Sequence, residues 1–140
     1  MTTRALMASD LARVWQITQG SEFYRPWTEL GLSDEIRDAK SLAFMEENQI
    51  LAFVFFRELV EEIEISWLAT DSAGWGRGHM GALLRVLFDA YRHKREIWLE
   101  VHESNLAAQK LYEKLGFKLT GKRPRYYHDG ASALLYTKVL

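Results

Sequence analysis

Cysteine is absent from the 140 residues, which excludes disulfides, thiolate metal sites and a cysteine nucleophile. Two prolines and nine glycines leave no composition for a disordered linker. No apolar run approaches the roughly 20 residues that a membrane-spanning helix needs, so no membrane partner is expected. The opening MTTRALMASDL has no apolar core preceded by basic residues, and it does not read as a signal peptide. His79, His93, His102 and His128 lack metal-ligand spacing, and no metal is expected. Basic residues are scattered among acids instead of gathered in a stripe, which argues against nucleic acid as a partner. These absences leave a soluble protein with an expected cytoplasmic location, monomer and homodimer both remaining open.

What is present suits one folded unit, and a single domain over residues 1–140 is expected. Apolar residues make up 48% of the chain, enough for a real core. The net charge of −1 conceals an asymmetry: residues 1–70 hold six basic and twelve acidic side chains, residues 71–140 twelve and seven. An acidic half beside a basic half suits a cationic ligand on one side and an anionic one on the other, although chance over a solvated surface gives the same count.

Periodicity orders the elements. A first strand covers Thr3 to Met7, and Ser9 or Asp10 caps a helix to about Thr18. Gly20 to Trp27 is a loop, since the Arg25-Pro26 step breaks any helix. A second helix runs from Ser33 to about Lys40. Ser41 to Glu46 and Gln49 to Leu59 are strands joined by a tight turn at Glu47-Asn48. The second of them is apolar on both faces, as for a strand covered by helices on both sides. Glu61 to Ala69 is a further strand, and Asp71 to Arg77 a Gly-rich loop. In the helix from about Gly78 to Arg92, Met80, Leu83, Leu84, Leu87, Phe88 and Tyr91 keep to one stripe. A strand follows at Ile97 to His102, then a helix ending at Gly116, a strand to about Thr120, a polar loop from Lys122 to Gly130, and a last strand from Ala131 to Val139. The result is one α/β domain, a mixed sheet with helices on both faces.

The stretch IWLEVHESNLAAQKLYEKLGF, Ile97 to Phe117, carries the candidate chemistry. Ile97, Leu99 and Val101 alternate with Trp98, Glu100 and His102, so the two sets occupy opposite faces of a strand. Asn105 or Ser104 can cap the next helix, whose stripe is Ala107, Leu111 and Leu115 with Ala108 and Tyr112 beside it. Glu100 and Tyr112 can therefore face one cleft. Read without further context, Glu100 is better explained as a solvated acid on a strand end, and Tyr112 equally well as a core aromatic. The loop DSAGWGRGHMGALL joins a strand to a helix, where glycines and free helix amides suit a pyrophosphate. It fits neither GxxxxGK[ST] nor a closed GxGxxG unit.

Asp71–Leu84 resembles the acetyl-CoA-binding motif of the GNAT N-acetyltransferases, [QR]-x-x-G-x-[GA] followed by a helix. The wording LEV…SN..A..LYE.LGF resembles the protein N-terminal alanine acetyltransferases of the RimI type. That resemblance implies a mixed, mostly antiparallel sheet, acetyl-CoA as co-substrate, and two adjacent parallel strands that splay around the thioester. Leu68, Ala69 and Asn105 would hold the pantetheine arm and acyl group; otherwise they are ordinary strand residues and a helix cap. The loop residues Trp75, Gly76, Arg77, Gly78, His79, Met80 and Gly81 would line the pyrophosphate. Glu100 matches the family's base and Tyr112 its acid. Trp27, from Arg25-Pro26-Trp27, and Tyr126-Tyr127, preceded by Arg123 and Arg125, match acceptor-lining segments, and His102 borders the cleft or orients Glu100.

Two positions depart from the pattern: Trp75 replaces the Gln/Arg and Met80 the second Gly/Ala. Met80 either joins the core stripe or points outward and crowds the phosphate. Glu61, Glu62 and Glu64 read as solvated edge charges; Trp15, Trp67 and Trp98 as core. The implied activity is acetyl transfer to a primary amine, a protein or peptide N-terminus, by direct attack in a ternary complex. The alternatives are a small amine as acceptor, and a catalytically silent CoA-binding or interaction domain.

Overall fold

The computed structural model describes residues 2–21, 23 and 28–140. The elements are β1 (Thr2–Arg4), α1 (Leu11–Gln19), α2 (Glu29–Asp38), β2 (Lys40–Glu46), β3 (Gln49–Glu58), β4 (Glu62–Thr70), α3 (His79–Ala90), β5 (Glu96–His102), α4 (Leu106–Lys114), β6 (Lys118–Arg123) and β7 (Ala133–Val139). They form one sheet in the order β1-β2-β3-β4-β5-β7-β6. Only β4 and β5 run parallel; every other neighbouring pair is antiparallel.

Alternation along the strands sorts the core into two layers. Ala52, Val54, Ile63, Ile65, Ile97, Leu99 and Val101 pack with Met80, Leu83, Leu84 and Leu87 of α3 and Tyr112 of α4. Ile50, Phe53, Phe55, Trp67 and Ala69 pack on the other face with Val14 and Ile17 of α1 and Leu32 and Ile36 of α2. The strand apolar on both faces is thus covered on both faces, as its sequence requires. Glu47 and Asn48 both take positive φ, 50° and 62°, the signature of a type I′ hairpin turn.

Several boundaries differ from the sequence reading, the last strand starting at Ala133 and not Ala131 among them, and three have a local reason. The first strand stops at Arg4, because Leu6 N–H turns to the Ser41 hydroxyl at 2.9 Å. The second helix starts four residues early, at Glu29, because Thr28 Oγ1 accepts from Gly31 N–H at 2.9 Å and caps it there. The sixth strand continues to Arg123: Leu119 pairs with Tyr136 and Gly121 with Leu135, so Thr120 is a bulge and not an end.

A second bulge shapes the middle of the sheet. Phe55 pairs with Trp67 and Phe56 with Ile65, leaving Ser66 as a surplus residue in β4. Ile63 and Ile65 therefore face α3, while Trp67 and Ala69 face α1 and α2. The bulge bends β4 away from its parallel neighbour. The β4–β5 ladder holds for three pairs only, Glu62 with Glu96, Ile63 with Ile97 and Glu64 with Trp98. Beyond them the strands run on to Thr70 and His102 unpaired with each other, and the sheet opens.

Candidate active site

Two cavities fill that opening, one on each side. The first, about 280 Å³, is lined by Ser66, Trp67, Leu68, Glu100, His102, Arg123, Tyr126 and Tyr127 among others. The second, about 650 Å³, runs along Leu68, Ala69, Thr70, the loop from Gly74 to Gly81, and the start of α4. Ser21, Phe23, Leu68, Asn105 and Tyr112 line both, so they form one passage through the sheet.

The larger cavity has the features a pyrophosphate and an apolar arm require. Gly76 and Gly78 sit at φ 81° and 80°, a conformation glycine enters cheaply, and an added Cβ would meet nothing at either. They turn the chain into the N-terminus of α3, where, among the described residues, no backbone acceptor takes the amides of Gly78, His79, Met80 and Gly81. Such orphan donors, with the dipole behind them, favour an anion. Leu68, Ala69, Ala107, Ala108 and Leu111 supply apolar walls beyond. These residues fit acetyl-CoA: amides for the phosphates, hydrocarbon for the pantetheine.

The departures from the motif resolve locally. Met80 is 6% exposed and belongs to the core, so its thioether does not crowd the phosphate position. Trp75 stays 58% exposed, but its indole N–H donates to Thr70 O at 2.9 Å and fixes the ring at the lip of the cavity. His79 is buried, stacked on Phe44 at 4.8 Å between centroids, and a Cβ on Gly74 would come within 2.8 Å of its Nδ1. Arg77 lies outside the cavity lining, and its N–H is turned onto Gly74 O at 3.2 Å. Asn105 both caps α4, accepting from Ala108 N–H at 3.2 Å, and lines the passage. Ala107 departs from the expected stripe: it is exposed and forms part of the lip.

In the smaller cavity Glu100 and Tyr112 share one space, as their positions in the sequence suggested. Leu99 and Val101 are buried in the α3 layer, which turns Glu100 the other way. Its side chain is 16% exposed; Oε1 lies 3.4 Å from Arg123 Nε, and Oε2 is buried without a hydrogen-bond partner. Tyr112 is 4% exposed against Phe117 and Tyr136. Burial, with a smaller contribution from Tyr127, raises its phenol well above the usual tyrosine range, so it stays protonated. Tyr126 and Tyr127 line the cavity wall, while Trp27 falls outside the described residues. Among the described residues no group of three His, Cys, Asp or Glu side chains is arranged to hold a metal ion.

Sequence reasoning missed several lining residues. Phe23 stands in a segment read only as loop, yet it reaches both cavities and lies 4.9 Å from the His102 ring. His102 borders the cavity, but its nitrogens meet Ser104 N–H and Asp129, not Glu100. Trp98 and Glu64, read as core and as solvated edge, both line the cavity and are only half-buried.

The Acetyltransferase (GNAT) family model matches residues 6–117. The [ribosomal protein bS18]-alanine N-acetyltransferase of Haemophilus ducreyi is 32% identical over 126 residues, 87% of this chain and 86% of that protein. The enzyme of the same name from Salmonella typhimurium is 31% identical over 90% of this chain and 86% of its own. The crystal structure of the ribosomal-protein-S18-alanine N-acetyltransferase from Escherichia coli superposes with a TM-score of 0.88 at 28% identity, covering 99% of this chain and 92% of that one. The chain belongs to the GNAT family of N-acetyltransferases, enzymes that take their acetyl group from acetyl-CoA.

Proposed function

We propose that this enzyme acetylates the N-terminal α-amine of a protein or peptide, with Glu100 as base and Tyr112 as acid. The observation that carries the reading is the shared cavity: a carboxylate with one unpartnered oxygen and a protonated phenol meet where the sheet opens. The sequence relatives named as bS18-alanine acetyltransferases support a protein terminus as acceptor. The acceptor ammonium enters beside Tyr126 and Tyr127 and gives a proton to Glu100, directly or through one water. The free amine nitrogen then forms its bond to the thioester carbonyl carbon. As the carbon–sulfur bond breaks, Tyr112 hands its proton to the departing thiolate, while the nitrogen gives up its second proton to solvent and Glu100 releases the first, leaving an N-acetyl amide and free CoA. Tyr112 recovers a proton from solvent.

Amides of Gly76 and of Gly78 to Gly81 hold the pyrophosphate in this reading, with Leu68, Ala69 and Asn105 along the pantetheine. Met80 folded into the core removes the main support for a catalytically silent domain. An acceptor of this kind carries an expected cytoplasmic location; no described helix is long and apolar enough to cross a membrane. The test offers acetyl-CoA with peptides starting in Ala or Ser, and with small amines, and measures CoA release and acetylated product by mass spectrometry. Peptide α-acetylation is expected. Turnover of small amines alone would replace the acceptor, and no turnover with any amine would overturn the reading.

A further inference from the structure

We infer that Arg123 is a positioning residue that acts through Glu100, fixing which carboxylate oxygen receives the proton, and does not act on the acceptor directly. The inference rests on the proposed role of Glu100. Arg123 pairs with Ala133 across β6 and β7, and Ala133 pairs with His102 across β7 and β5. Side chains directly opposite share a face, so Arg123 stands on the face that carries Glu100 and His102. Two strand spacings separate β6 from β5, about 10 Å. Only a long side chain crosses that distance, and Ala133 between them is too short to block it.

The crossing ends with Nε 3.4 Å from Glu100 Oε1. On its way the guanidinium carbon lies 5.7 Å from the centroid of the Tyr126 ring, which limits where the group can swing. Oε2 remains buried and without a hydrogen-bond partner. A buried polar atom without a partner is costly, and in a cavity it marks where a donor belongs. An ammonium is the donor that this reaction brings. Arginine cannot be deprotonated in a protein, so it compensates the carboxylate charge throughout the cycle and never competes for the proton. The bulge at Thr120 sets this geometry, because it shifts the register by one residue and puts Arg123 instead of Lys122 opposite Ala133.

A double-mutant cycle separates action through Glu100 from action on the acceptor. With an Ala-starting peptide, Arg123→Met should lower kcat about tenfold, within the usual range of coupled neighbours, and leave the KM for acetyl-CoA unchanged. Arg123→Lys, which keeps the charge but not the planar group, should fall between. In a Glu100→Gln background, Arg123→Met should change kcat by less than about twofold. Losses that multiply in the double mutant, or a peptide KM that rises at constant kcat, would overturn the inference while leaving the proposed function intact. A wild-type enzyme inactive on every amine would overturn both. Arg123 is 56% exposed, so its variants should melt as the wild type does; if Arg123→Met does not fold, Arg123→Gln runs the same cycle.

Discussion

Asp129 holds His102 in one tautomer. Ser104 N–H donates to His102 Nδ1 at 3.0 Å, which leaves the ring proton on Nε2, 2.7 Å from Asp129 Oδ2. The imidazole in turn stacks on Tyr127 at 4.9 Å and 27°. Asp129 belongs to the loop between β6 and β7, so the pair ties the Tyr126-Tyr127 segment to the end of β5. The Ala131 N–H, and then His102, hold the Asp129 carboxyl below the usual carboxylate range. Its charge therefore persists as pH falls to about 4, and the tie is lost only below that. Asp129→Ala should raise the peptide KM several-fold with little change in kcat; steady-state kinetics at pH 7 would show it. An unchanged KM would mean that the loop holds its place by stacking alone.

Tyr112 should tolerate no loss of its hydroxyl. Tyr112→Phe keeps the packing against Phe117 and Tyr136 and removes only the proton. Turnover should fall about 10²-fold, the usual order for a positioned acid, with acetyl-CoA affinity little changed. The raised phenol also predicts the pH profile. A donor titrating above its ordinary value near 10 stays loaded as pH rises, so the wild-type rate should not decline between pH 8 and 10 on its account.

Glu100→Gln keeps size and removes basicity. The deficit should be largest at low pH, where an α-amino group with a pKa near ~8 is mostly protonated. At high pH the amine arrives already free and the variant should regain part of the rate. A deficit constant from about pH 6 to 10, with chemistry rate-limiting, would reassign Glu100 to holding the substrate.

Met80→Gly restores the residue type of the family pattern at a site that is 6% exposed. The cavity costs roughly 2–5 kcal/mol and glycine within a helix about 1 more. The variant should melt markedly earlier yet bind acetyl-CoA as tightly as before, since the buried thioether does not face the phosphate. Calorimetry on both proteins would test this, and acetyl-CoA should raise the melting temperature of each by mass action.

Long periodic segments were the legible part of this fold. The stripe of α3, the doubly apolar β3 and the alternation of β5 each follow from burial, which sequence records directly. Glu100 could be aimed because Leu99 and Val101 on either side demand the core. The helix start at Glu29 was hidden by Gly31, since a glycine reads as loop until the Thr28 cap is seen. The contact between Arg123 and Glu100 was beyond reach for a different reason. It depends on the bulge at Thr120 and on a small residue in an intervening strand, neither of which leaves a local pattern. Phe23 and Trp98 carry no signal that separates a cavity wall from a loop or a core.

The surplus Ser66 in β4 has a consequence for how this enzyme can vary. Its hydroxyl reaches Glu35 at 3.3 Å, and a replacement would forfeit little beyond that bond. Deleting the residue is another matter: Ile65 and Trp67 would become neighbours opposite Phe56 and Phe55, each side chain would keep its face, and β4, straightened, could follow β5 to its end. The passage between acetyl donor and acceptor is thus encoded in a length, one residue more than the neighbouring strand can match. A substitution at position 66 would change one wall of the smaller cavity and leave the bend in place; a deletion would remove the bend itself.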